Sequence, residues 1–162
     1  MINIKIICVG DLKESYLKDM EKEYLKRLSK YCKLEIVTLK DEKLPSTLNE
    51  SNIQIVKEKE ANLILNKLNN LSNNYTFVMD EKGKQYTSTE LADKFNKITT
   101  NGNSNITFII GGSLGLAESV KTAGNELLSF SKLTFPHQMI RMFLLEQIFR
   151  VFKINNNETY HH

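Results

Sequence analysis

Ser113 stands in Gly111-Gly112-Ser113-Leu114-Gly115, directly after the apolar run Ile106 to Ile110. That spacing satisfies G-x-S-x-G, the strand-to-helix elbow that presents a nucleophilic serine in hydrolases. The same stretch could be a loop that cradles phosphate, or a backbone-lined pocket for an uncharged group. A serine nucleophile needs a histidine and an acid after it. Only Glu118, Glu126, Glu146 and Glu158, with His137, His161 and His162, follow Ser113, and 162 residues is short for such an enzyme. A phosphate loop carries the Lys-Ser/Thr pair of GxxxxGK[ST], but "GGSLGLAES" holds no lysine, and G-x-G-x-x-G is absent. What remains is a neutral turn whose glycines let a ligand approach the main chain, because no Cβ intervenes. Such a turn suits adenine, ribose or a cationic sulfonium that a lysine would repel. On the loop alone, a tight turn packed against a neighbouring helix fits equally well.

Glu146 and Arg150 are the second pair with chemical potential. Their i,i+4 spacing places them on one side of a helix, where the plainest outcome is a surface ion pair of about 0.3 kcal/mol. Cys8 and Cys32 lie in unrelated segments without a CxxC or Cys/His cluster. Neither a disulfide framework nor a metal site is indicated, and both thiols read as reduced and buried.

The elements that must position these groups alternate. Residues 2 to 9 read as a strand, Ser15 to Leu28 as a helix and Leu34 to Leu39 as a second strand. Leu48 to Leu68 form an amphipathic helix, and Tyr75 to Asp80 a third strand followed by the turn Glu81 to Lys84. Thr87 and Glu90 form a capping box, which starts a helix from Ser88 to about Ile98. Ile106 to Ile110 make the next strand. After the glycine loop come a short helix near Leu116 to Thr122, a short strand around Leu127 to Phe130 and a helix from Pro136 to about Ile154. Alternation of this kind implies an α/β fold, a mainly parallel sheet flanked by helices.

The last helix is apolar over well over half its circumference, through Met139, Ile140, Met142, Phe143, Leu144, Leu145, Ile148, Phe149, Val151 and Phe152. One sheet needs only a single apolar stripe. The surplus is expected to face a second, identical subunit. Asn155-Asn156-Asn157 reads as a flexible lead-in to the tail.

The length suits one domain, residues 1–162, with a real core. Hydrophobic residues at 41% and charged residues at 25% exclude the disordered and membrane classes. The start has no basic n-region or cleavage site, so a cytoplasmic protein is expected. The net charge of +3 is spread evenly. Without a polybasic stripe, a monomer gripping naked duplex is disfavoured, whereas an RNA met on a larger particle is compatible.

"SFSKLTFPHQMIR", Ser129 to Arg141, places small polar residues before a proline-started helix and decides between the readings of the glycine loop. Together with Val9-Gly10, "EYLKRL", "KEKEANLIL", "FVMDEKGK", "FIIGGSLGL", "LLEQIFR" and Tyr160-His161, it resembles the small bacterial SPOUT-class methyltransferases, the ribosomal RNA large subunit methyltransferase H family. The resemblance runs from Ile4 to His161. It implies a C-terminal trefoil knot, an obligate homodimer, and methylation of N3 of a pseudouridine in 23S ribosomal RNA, on the assembled ribosome and without a metal. It implies S-adenosylmethionine as cofactor, lined by Met79, Gly111, Phe130, Ser131, Lys132, Leu133, Thr134 and Phe135. It also implies a catalytic group of Glu146, Arg150, Tyr160 and His161, the tail completing a composite site from the other subunit. Phe149 stands where the family often has tyrosine, and His162 where it commonly has Lys or Arg. A knotted, non-catalytic ribosome-binding protein is the alternative.

Overall fold

The computed structural model describes residues 1–160. Five strands and five helices alternate as β1 (Ile2–Val9), α1 (Ser15–Leu28), β2 (Cys32–Leu39), α2 (Glu50–Leu68), β3 (Asn74–Gln85), α3 (Ser88–Thr100), β4 (Asn105–Ile110), α4 (Glu118–Ala123), β5 (Glu126–Ser129) and α5 (His137–Asn155). They form one sheet in the order β2-β1-β4-β3-β5, with every neighbouring pair parallel. The α/β class and the parallel sheet flanked by helices agree with the expectation from the sequence.

Side chains leave a strand alternately to either face, and here both faces are covered, so β1 and β4 are apolar almost throughout. Ile4, Ile6, Phe77, Ile106 and Phe108 pack under α1, α3 and α5. Phe77 and Phe108 stack with ring centroids 5.1 Å apart, and Phe95 of α3 lies 6.1 Å from Phe108. On the other face Ile7, Val9, Val78 and Ile109 meet Ala61 and Ile64 of α2 and Val120 of α4. Cys8 and Cys32 are free and buried, and burial pushes both thiols up to about 12, which keeps them protonated and inert.

Several boundaries moved for identifiable reasons. The α2 helix begins at Glu50, not Leu48, because Asn49 caps it, its side chain accepting the Asn52 N–H at 2.9 Å. The capping box of Thr87 and Glu90 forms as expected, and α3 runs two residues further than Ile98. Pro136 is the cap of α5, not a residue of its first turn. The largest difference is β3, which continues through the expected turn to Gln85. It leaves register with β5 after Met79 and regains it at Lys84, opposite Leu128. Gly83 makes this return possible, since a Cβ there would stand 2.6 Å from the Leu127 carbonyl carbon.

Most of the apolar surplus of α5 is buried within this one chain. Met142, Leu144, Leu145, Ile148, Phe149, Val151 and Phe152 are all buried, because α5 packs on the sheet with α1 on one flank and α3 on the other. Only Met139 and Phe143, at 41% and 36%, count as exposed. The three asparagines form a hydrogen-bonded helix end. Asn155 donates to the Ala92 carbonyl at 3.1 Å, Asn156 to the Phe152 carbonyl at 2.8 Å, and Asn157 takes the left-handed conformation at φ 54°.

Candidate functional site

In a parallel sheet, ligands bind beyond the carboxyl ends of the strands. Here β3 lies between β4 and β5, so the ends of all three are neighbours. Gly111 leaves β4, Met79 is the last residue of β3 in register with β5 before the shift, and Phe130 follows β5. The ends of β4 and β5, on either side of β3, are thus about 10 Å apart, two strand spacings.

The glycine loop is closed on itself. The Gly115 N–H donates to the Gly112 carbonyl at 3.1 Å, and Gly115 has φ +83°. A Cβ on Gly111 would stand 2.7 Å from Leu116 Cγ, so only glycine lets the chain turn this tightly over that buried leucine. Ser113 makes no hydrogen bond to any histidine among the described residues, and nothing there supports a nucleophile.

Beyond β5 the chain lines a half-open cavity of about 330 Å³. Phe130, Ser131 and Phe135 form one wall, and Phe143, Glu146 and Gln147 of α5 form the facing one. Phe135 packs edge-on against Phe143, with centroids 5.5 Å apart, which joins the two walls. Tyr86 and Ser88, at the start of α3, and Leu91 close the remainder. Ser88 Oγ donates to Gln147 Oε1 at 2.8 Å. Tyr86 donates to Glu126, which also accepts from Tyr75 at 2.8 Å and pairs with Lys94 at 3.0 Å. Burial, reinforced by the Glu126 carboxylate, pushes the Tyr86 phenol up to about 12.

Glu146 is held from three directions. Tyr24 of α1 and Tyr160 of the tail both donate to its Oε2, at 2.6 and 2.9 Å. Arg150 donates to Oε1 from Nε at 3.0 Å and from Nη2 at 2.6 Å. The Arg150 guanidinium also lies over the Tyr160 ring, 4.8 Å from its centroid, and Tyr160 packs edge-on against Phe149 at 5.0 Å. Burial first, and then the Glu146 carboxylate, push the Tyr24 and Tyr160 phenols up, so both stay donors at neutral pH.

Of the residues singled out in the sequence, Glu146, Phe130, Ser131 and Phe135 meet at the cavity. Arg150 and Tyr160 are off its wall and join it through their hydrogen bonds to Glu146. Lys132, Leu133 and Thr134 are exposed and off its wall, with Thr134 Oγ1 donating to Glu81 at 2.7 Å. Met79 is half-buried against the core, and Gly111 lies at the neighbouring strand end. His161 and His162 lie outside the described residues. Tyr24, Tyr86, Ser88 and Gln147 were not anticipated. Tyr86 and Ser88 adjoin the capping box, a usable signal, but nothing in the sequence joins Tyr24 to a partner 122 positions away. Among the described residues no group of three or more His, Cys, Asp or Glu could hold a metal, and no helix is long and apolar enough to cross a membrane.

A parallel α/β sheet with one loop at the end of β4, another at the end of β5 and a small cavity of mixed aromatic and polar lining beside the second defines a fold able to hold a small ligand. Residues 2–161 match the family described as predicted SPOUT methyltransferase, and the chain belongs to that family. Three relatives, each called "Ribosomal RNA large subunit methyltransferase H", align over 160 residues, 99% of both chains. The protein from Clostridium botulinum (strain Alaska E43 / Type E3) is 52% identical, that of Clostridioides difficile (strain 630) 49%, and that of Lactobacillus delbrueckii subsp. bulgaricus (strain ATCC BAA-365 / Lb-18) 48%.

Proposed function

We propose that this chain is a cytoplasmic, homodimeric methyltransferase that uses S-adenosylmethionine to methylate N3 of a pseudouridine in large-subunit (23S) ribosomal RNA, with its C-terminal segment threaded as a trefoil knot. The observation that carries this reading is the cavity that brings Phe130, Ser131 and Phe135 together with Glu146. Its volume and aromatic walls fit an adenosyl group, with a few polar atoms to orient it. The absence of a lysine from the glycine loop fits a positively charged donor.

The chemistry the cofactor supplies when bound is an activated methyl group on sulfur. Phe130, Ser131 and Phe135 would hold its adenosyl part, with the main chain at Gly111 and Met79 alongside and Lys132, Leu133 and Thr134 closing over it. A ring nitrogen must lose its proton and align with the methyl group, so most of the acceleration comes from positioning, with assistance from a base. Glu146, fixed by Tyr24, Tyr160 and Arg150, organises that end of the cavity. Arg150 takes an RNA phosphate, and His161 handles the proton or holds the base in place. Tyr16 and Met20 of α1 and Met139 and Phe143 of α5 are exposed apolar side chains on two adjoining helices, and this surface suits the second subunit.

Labelled-methyl transfer to ribosomes from cells lacking the modification tests this. Incorporation at N3 of one pseudouridine is expected, with isolated hairpins poor substrates because no polybasic stripe grips free RNA. Failure to bind S-adenosylmethionine at millimolar concentration would instead favour a non-catalytic ribosome-binding protein. Sedimentation reads the dimer, and a monomer at micromolar concentration would remove it.

A further inference from the structure

The buried polar side chains among the described residues are Glu60, Thr76, Thr107, Ser129 and Arg141. Four have partners that explain them. Arg141 pairs with Glu21 at 2.6 Å, Thr107 donates to Asn74 at 2.7 Å, Thr76 accepts from Asn74 at 2.8 Å, and Ser129 donates to the Ser131 carbonyl at 2.9 Å. Glu60, on α2 and 5% exposed, is different. No cation faces it among the described residues, and the charged groups that act on it, Asp41 and Glu42, have its own sign. Burial pushes its carboxyl up; the Glu42 N–H opposes this, and the Asp41 and Glu42 carboxylates add to it.

An unpaired acid in such a position weakens a fold, since burial without a counter-charge is unfavourable. An aliphatic side chain would pack the same space without that penalty. Its presence there therefore asks for a role other than stability, and its contacts indicate one. Glu60 Oε2 accepts the Glu42 N–H at 3.1 Å, which ties α2 to the connection after β2. On the other side Oε1 lies 3.2 Å, and Oε2 3.5 Å, from the point where a Cβ on Gly112 would stand; Val9 Cγ1 is also 3.2 Å from that point. The space that a side chain at Gly111 would take is thus filled by Leu116, and that at Gly112 is bounded by the Glu60 carboxyl and Val9.

We propose that Glu60 is a positioning residue that braces Gly112 from beneath, and so sets the height at which the Gly111–Gly112 main chain meets the cofactor. This rests on the cofactor reading above. A displacement of the loop of the order of an ångström is enough to lose much of a ligand's fit. Glu60 acts through the loop, and on this reading touches neither cofactor nor RNA.

Calorimetric titration of the full chain with S-adenosylmethionine, alongside thermal melts, tests the brace. Glu60→Gln keeps the size and an oxygen for the Glu42 N–H, so its Kd should stay within about twofold of wild type. Glu60→Leu fills the space but loses the acceptor for the Glu42 N–H, the contact that fixes where the tip of the side chain lies under Gly112. It should bind about tenfold more weakly while melting no lower than wild type. A folded Glu60→Leu protein with unchanged Kd overturns the proposal. Should that variant not fold, Gly112→Ala supplies the second arm. Its new methyl group meets the carboxyl and should weaken binding about tenfold. Adding Glu60→Asp, which withdraws the carboxyl by one methylene, should recover part of that loss, and no recovery overturns the brace. If wild type itself fails to bind, the cofactor reading falls and takes the brace with it; if wild type binds and the variants match it, only the brace falls.

Discussion

Tyr24 donates a 2.6 Å hydrogen bond to Glu146, although 122 positions separate them. The bond joins α1 to the wall of the cavity, and Glu146 keeps Tyr160 and Arg150 when Tyr24 is removed. Tyr24→Phe should therefore lower stability by about 1 kcal/mol and methyl transfer only modestly. Glu146→Gln loses the charge that Arg150 and both phenols address. It should cut labelled-methyl transfer about 100-fold, with cofactor Kd little changed. Equal activity in the two variants would remove Glu146 from the mechanism.

Arg141 and Glu21 form a 2.6 Å ion pair whose side chains are 7% and 17% exposed. Glu21→Ala leaves a buried guanidinium without its partner. A loss of about 3 kcal/mol in urea unfolding is expected, far above that of an exposed pair such as Arg27 with Glu23.

Glu60 gives stability a pH dependence of unusual sign for a carboxylate. Its folded pKa is raised above the ordinary value of 4.5, so the native chain binds the proton more tightly than the unfolded one. Its contribution is fully present below pH 4.5 and is lost as pH rises through the folded pKa. Glu60→Gln, which cannot ionise, should gain Tm relative to wild type between acid and neutral pH. An unchanged difference across that range would contradict the assignment.

Gly83→Ala places a methyl group against the backbone at Leu127 and Leu128, with atoms 2.6 to 2.7 Å away. Backbone cannot swing aside as a side chain can, so about 2 kcal/mol should be lost. The loss should appear in hydrogen exchange first at β5 and the end of β3.

The order of the elements and their types were legible because the periods are clear and the punctuation is strong, as with the cap at Thr87. Ends set by long-range pairing were not. Residues 81 to 85 look like a turn, with Gly83 among charged neighbours, and are strand because Lys84 and Gln85 return to pair with Leu128 and Ser129 of β5. The apolar girth of α5 suggested a partner chain, yet two flanking helices and the sheet absorb most of it. In the candidate site, the motifs singled out Phe130, Ser131, Phe135 and Glu146. Glu60 is not legible in this way, since nothing local marks one acid of an amphipathic helix as the buried one.

Parallel pairing has a consequence for how this chain comes into being. No two neighbouring strands can zip from a tight hairpin, and β1 finds β4 only across about a hundred intervening residues. A nascent chain can assemble β1, α1 and β2, but the middle of the sheet stays open until Ile110 has left the exit tunnel. The strands that lead into the glycine loop and the Phe130 segment are thus among the last to lock, and during synthesis their apolar edges are what a chaperone would meet first.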